Sequence, residues 1–208
     1  MSVYQPQPGD VLACWGSGLI SQIIQWGTFD LRHFKTSPAH VALIVPDLSE
    51  LLGISPAIGE PLVLESTSLS PLPCLFRRER VRGIQLHTLG QWLTVQERVE
   101  VFRINDVNPV VVEDATKLAR VAAGLVRKGS RYDYRGAVCS ATTIFKLLYD
   151  SEIDELFCSE LVAVCLAAIC KFPMLNPHRY TPGLLAREMR RISHFAKPLR
   201  ILPAPKEV

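Results

Sequence analysis

The residue best placed to do chemistry is Cys158, in Phe157-Cys158-Ser159-Glu160-Leu161-Val162, because it opens an apolar run with helical spacing. That run continues through Val164, Cys165, Leu166, Ala168 and Ile169, and Pro173 follows, which predicts a helix from Cys158 to Lys171. The unpaired backbone N–H groups and partial positive charge of a helix start favour a thiolate over a thiol, so the placement points to nucleophilic chemistry. A free cysteine is also commonly a small buried hydrophobe, so the thiol needs a base before it means anything.

Two distant segments supply candidates. His40, in Ser37-Pro38-Ala39-His40-Val41-Ala42-Leu43-Ile44-Val45, opens a run of aliphatic residues that reads as a buried strand, and Glu65 closes the alternating run Leu62-Val63-Leu64-Glu65. A lone histidine there also fits a satisfied core residue. With an acid on a neighbouring strand, the imidazole can instead act as a base whose tautomer and orientation the carboxylate fixes. Cys14, in Cys14-Trp15-Gly16-Ser17-Gly18, is the rival nucleophile, since it precedes an amphipathic segment. Cys165, seven residues after Cys158, is expected to be packing only. His87 alternates within a strand, while His33, His178 and His194 lie in polar or irregular contexts, and none has a partner signal to match His40.

The elements that must position these groups follow from periodicity. Strands are expected over 11–15, 40–45, 62–66, 83–88 and 98–104, with a helix over Ser17 to Trp26 between the first two. After Asn108-Pro109 the period becomes helical, ending at Lys128-Gly129; further helices are expected over Ser140 to Leu148, at Cys158, and from Thr181-Pro182 to Arg190. Ile192 to Leu202 reads as a last strand. Strands in one block and helices in another argue for an α+β fold, an antiparallel sheet packed against helices. No repeat or linker divides residues 1–208, so one domain is expected.

Composition excludes several function classes. The chain has 208 residues, 48% hydrophobic and 21% charged, with a net charge of +3, which gives no case for nucleic acid. Arg77-Arg78-Glu79-Arg80-Val81-Arg82 is the densest basic run and reads as a solvated loop or as a contact for an anionic substrate or surface. No apolar stretch approaches the roughly 20 residues of a membrane helix. The six cysteines form no close pair and no regular spacing, so neither a zinc site nor a disulfide framework is expected, and no cofactor is called for. Met1 to Pro8 has no positive n-region and no apolar h-region, so no classical signal peptide is expected there.

Pro8-Gly9-Asp10-Val11-Leu12, Ser37 to Val45, Val63-Leu64-Glu65, Tyr132-Asp133-Tyr134 and Phe157 to Val162 stand in an order that resembles the circularly permuted NlpC-type papain-like proteins, YiiX-like branch. In ordinary papain-like enzymes the cysteine helix precedes the histidine strand; here His40 precedes Cys158. The resemblance implies a permuted papain-like fold and a cysteine hydrolase, with Cys158 as nucleophile, His40 as base, Glu65 as third member and the Tyr132 hydroxyl reaching the nucleophile. Tyr132 equally fits an aromatic packed under a loop. The implied substrate is an amide, above all a bacterial cell-wall peptide. The chain would then serve in the cytoplasm, or as an antibacterial effector exported by a specialised machine and matched by a cognate inhibitor protein. Two other functions stay open: lipid-directed thiol acyl transfer or ester hydrolysis, which needs an apolar groove at the cleft, and a non-catalytic binding module with an occluded Cys158. Segments 48–60 and 70–80 read as inserted loops beside the cleft.

Overall fold

The computed structural model describes residues 4–15, 37–55, 60–67, 70–129, 157–173 and 180–201. Within them the strands are β1 (Val11–Trp15), β2 (His40–Val45), β3 (Leu62–Thr67), β4 (Gly83–Thr88), β5 (Arg98–Phe102) and β6 (Leu199–Ile201). The helices are α1 (Ser49–Leu52), α2 (Leu89–Leu93), α3 (Val112–Lys128), α4 (Cys158–Ala168) and α5 (Pro182–Arg191). The expected helices over 17–26 and 140–148 lie outside the described residues, as does Tyr132.

All six strands form one antiparallel sheet in the order β4-β3-β2-β1-β5-β6. Both faces are covered, which is why the strands read as nearly continuous apolar runs. On the first face Val11, Val41, Leu43, Leu64 and Leu86 pack with Leu118 of α3, Leu161 and Leu166 of α4, and Leu185 and Met189 of α5. On the second, Leu12, Cys14, Ala42, Ile44, Val63, Val99 and Val101 pack with Leu89 and Trp92 of α2. Removing a fully buried leucine such as Leu161 from such a core costs roughly 2–5 kcal/mol.

The sequence boundaries hold best where a backbone signal stops the element. Gly129 caps α3 at φ 64, a left-handed conformation that glycine adopts without strain. Thr181 accepts a hydrogen bond from the Leu184 N–H at 3.1 Å, and Pro182 opens α5. Two short helices, α1 and α2, escape the periodicity because one turn carries no period. The second had a signal in Thr88 and Gln91, the spacing of a capped helix start, and the Thr88 hydroxyl oxygen accepts from the Gln91 N–H.

Other boundaries move. The cysteine helix ends at Ala168, short of Lys171, because Cys170 takes the left-handed conformation at φ 56. There the Cys170 N–H bonds the Ala167 carbonyl and the Lys171 N–H bonds the Leu166 carbonyl, the pairing of a Schellman stop. Lys171 then turns inward to Asp114 at 3.0 Å and Asn108 at 2.6 Å. The fifth strand stops at Phe102, with Ile104 bridging Phe195, and the last strand shrinks to three exposed or half-exposed residues at the sheet edge. At the opposite edge the segment after β3 folds back on β4: the Leu75 N–H bonds the Leu86 carbonyl, and the Cys74 sulfur accepts from the Leu86 N–H. That segment thus covers an edge strand, while Arg77, Arg78, Arg80 and Arg82 stay exposed.

At the start of the chain Asp10, 1% exposed, is gripped by Arg103 through two bonds of 2.9 and 2.7 Å, by the Tyr4 hydroxyl at 2.8 Å and by the Gln7 N–H at 3.0 Å. This network fixes the entry to β1, and burial together with the Asp10 charge pushes the Tyr4 hydroxyl well above its ordinary pKa.

Candidate active site

Strand alternation brings the polar residues together. Ala42 and Ile44 belong to the second face, so His40, two residues earlier, projects to the same side at the end of β2. Val63 lies on that face too, and so does Glu65. Antiparallel register sets Val63 opposite His87 and Glu65 opposite Gln85, while Cys14 of β1 stands opposite His40. Trp92 comes down on this cluster from α2.

Glu65, 3% exposed, is the hub. Its Oε2 receives His40 Nε2 at 2.8 Å and the Trp92 indole N–H at 2.8 Å. Its Oε1 is approached by His87 Nε2 at 3.2 Å, an ion-pair distance without the alignment of a good hydrogen bond. Burial alone would raise the Glu65 pKa, but the hydrogen bond from His40 and the nearby His40 and His87 imidazoles outweigh it and hold the carboxyl well below the usual carboxylate range. A carboxylate facing imidazoles and an indole must be the acceptor, so His40 carries its proton on Nε2. Its Nδ1 is left for the thiol.

The thiol comes from the other layer. Helix α4 packs on β2 and β3 across the first face and begins at Cys158, with Glu160 reaching back to accept from the Phe157 N–H at 2.9 Å. The Ser159 hydroxyl donates to the Tyr180 carbonyl and fixes the same turn. Because His40 is the first residue of β2, its ring stands at the rim where the two layers meet, hydrogen-bonded to the Cys158 side chain on one side and to Glu65 on the other. Burial would lower the His40 pKa; the neighbouring Cys158 side chain and the Glu65 carboxylate together raise it to about 10. The His40 side chain is 23% exposed, whereas Cys158 is 1% exposed.

Of the expected site residues, His40, Glu65 and Cys158 are therefore assembled, and Tyr132 lies outside the described residues. Cys14 is a neighbour of the site: burial, then the Glu65 and Cys158 charges, push its thiol well above the ordinary range, so it stays protonated beside His40. Cys165 is fully buried in α4 and burial pushes it up to about 12, as a packing residue should be. Sequence reasoning passed over His87 and Trp92; the signal for His87 was that it alternates with Gln85 as Glu65 does with Val63. In the described parts of the two segments, 48–55 and 70–80, Leu48, Leu52 and Cys74 are buried in the first-face core. The cavity they border, about 370 Å³ and lined by Ile54, Ser55, Pro73, Cys74, Leu75, Arg78 and Gln91, contains none of the three site residues.

No family model matches the chain, and no curated protein does. Among solved structures it is similar to the crystal structure of the metalloprotein yiiX from Escherichia coli O157:H7 (DUF1105), at 18% identity and a TM-score of 0.56 over 96% of this chain and 98% of that one. Among the described residues of this chain, no group of three or more His, Cys, Asp or Glu side chains is arranged to hold a metal ion. His40 Nε2 lies 2.8 Å from one Glu65 oxygen and His87 Nε2 3.2 Å from the other. The chain shares its fold, a mixed α+β arrangement with helices on an open antiparallel sheet, with the YiiX structure.

Proposed function

We propose that the protein is a cysteine hydrolase of permuted papain-like type that cleaves amide bonds, with Cys158 as nucleophile, His40 as base and Glu65 as the residue that orients His40. One observation carries the reading. His40 is hydrogen-bonded to a helix-start thiol and, through Nε2, to a buried carboxylate at 2.8 Å, which is the nucleophile–base–orienter arrangement.

In this mechanism the Cys158 thiolate attacks the carbonyl carbon, and the carbonyl electron pair moves to oxygen. The Cys158 N–H, in the first helical turn, has no carbonyl of its own helix to bond and faces the developing charge; a well-placed donor of this kind is worth roughly 3 kcal/mol. His40 delivers its Nδ1 proton to the leaving amine as the C–N bond breaks, leaving a thioester. Water, deprotonated by His40, then attacks the thioester and the Cys158 thiolate departs. Glu65 stays ionised throughout and stabilises the imidazolium.

The substrate we favour is a peptide of the bacterial cell wall, on the likeness in order and motif to the permuted NlpC-type proteins. The lipid reading gains nothing from Leu48, Leu51, Leu52, Ile54, Leu75 and Phe76, which pack on the core. The burial of Cys158 favours a second reading, a non-catalytic binding module, in which the thiol is occluded. Incubating purified cell-wall fragments with the protein and with Cys158→Ala, followed by mass spectrometry, separates the two. New amino termini with the wild type alone support hydrolysis, and identical fragment patterns with both proteins refute it.

A further inference from the structure

We propose that His87 is a positioning residue that holds the Glu65 carboxylate in the orientation and charge state His40 needs; this rests on the reading of Cys158 as a nucleophile. His87 has no exposed side-chain surface, and its only polar neighbour within bonding range among the described residues is Glu65, whose Oε1 lies 3.2 Å from Nε2. Neither Nδ1 nor Nε2 makes an aligned hydrogen bond, so the Nε2–Oε1 approach is a close polar contact. An imidazole buried in this way contributes little to the fold, since an apolar ring of the same shape would leave no polar nitrogen unsatisfied.

What His87 does is complete the set of polar side chains packed around one carboxylate. His40 from β2 and Trp92 from α2 both bond Oε2. Gln85, opposite Glu65 in register, commits its amide N–H groups to the Val81 and Thr67 carbonyls and leaves only its oxygen, an acceptor, on this face. The Cys14 thiol on β1 also feels the Glu65 charge and is no cation. Among the described residues, His87 is thus the imidazole that lies against Oε1, at 3.2 Å. Without this contact the Glu65 carboxylate loses an imidazole neighbour, the carboxyl takes up a proton more readily, and the His40 imidazolium loses part of its counter-charge. The chain of influence runs from His87 on β4 through Glu65 on β3 and His40 on β2 to Cys158 on α4.

The test uses the full-length protein and needs no substrate. Alkylation of Cys158 by iodoacetamide is followed against pH by peptide mass spectrometry in the wild type, His87→Phe and His87→Gln. His87→Phe keeps a planar ring and removes the polar contact; it should move the Cys158 alkylation profile to higher pH and slow the reaction at pH 6 by up to about tenfold, which is about one pK unit. His87→Gln, which restores an N–H, should recover most of that rate. Thermal melting separates positioning from packing, because His87→Phe should melt no lower than the wild type. Should His87→Phe fail to fold, His87→Met, apolar and adaptable, makes the same comparison. An unchanged pH profile in a folded apolar variant overturns the proposal, and so does a loss that His87→Gln does not recover. Absence of selective alkylation at Cys158 in the wild type would instead overturn the nucleophile reading on which it rests.

Discussion

Removing the thiol should drop the pKa of His40. His40 is raised to about 10, against the pull of burial, with the Cys158 charge as the leading cause that raises it and Glu65 second. A unit charge about 4 Å away in surroundings of effective dielectric near 20 is worth roughly 4 kcal/mol, or about three pK units. Cys158→Ala removes that charge and its hydrogen bond but leaves the 2.8 Å contact to Glu65, so His40 should fall from about 10 to about 7. The assay is an NMR titration of the imidazole Cε1–H signals, with His40 assigned among the five histidines by its loss in His40→Gln. Cys165→Ala, which removes a thiol from the same helix but not from the site, is the control and should leave His40 where it is. A His40 titration that moves by less than about half a unit in Cys158→Ala would show that the thiol and imidazole do not face each other as a charged pair.

Glu65 sets the acid side. Its folded-state pKa lies below the ordinary value of 4.5, so it contributes stability that is present above that pH and is lost as pH falls through the folded value. Glu65→Gln should therefore flatten the acid limb of a melting-temperature profile below about pH 4.5; a limb as steep as the wild type's would contradict this. On turnover, Cys158→Ala and His40→Ala should each abolish release of amino termini, whereas Glu65→Gln should retain measurable activity, because a group that only orients the base costs less to lose. Arg103→Met leaves the buried Asp10 carboxylate without its cation and should lower stability by about 3 kcal/mol in denaturant titration; a change under about 1 kcal/mol would mean that Tyr4 and Gln7 suffice. Cys170→Gly relieves a left-handed cysteine at the end of α4 and should raise stability by about 0.5–1 kcal/mol.

The sequence was most legible where burial and alternation agree. The starts and ends of β1, β2 and β4 could be read because apolar runs are broken by Gly, Pro or a polar residue, and His40 and Glu65 were visible because each is a charged or polar group at the end of such a run. What could not be read is the convergence around Glu65, since only the register of β3 against β4 puts His87 beside it. Trp92 depends on a one-turn helix too short to show a period. The stop of α4 at Ala168 was hidden because cysteine, not glycine, takes the left-handed position. The same limit explains segments 48–60 and 70–80: a Pro- and Gly-rich stretch reads as a loop whether it frames a cleft or covers a sheet edge.

The central claim, that Cys158 is a nucleophile paired with His40, is tested most directly by mapping iodoacetamide adducts across the cysteines at pH 6. At that pH ordinary thiols are protonated and react slowly, while a thiolate held by an imidazolium reacts. Exposed Cys170 supplies the internal reference, and buried Cys14, Cys74 and Cys165 the background. The account predicts that Cys158 is modified first, despite its burial, and that His40→Ala abolishes its lead. Modification of Cys170 ahead of Cys158, or a Cys158 rate unchanged in His40→Ala, would contradict it.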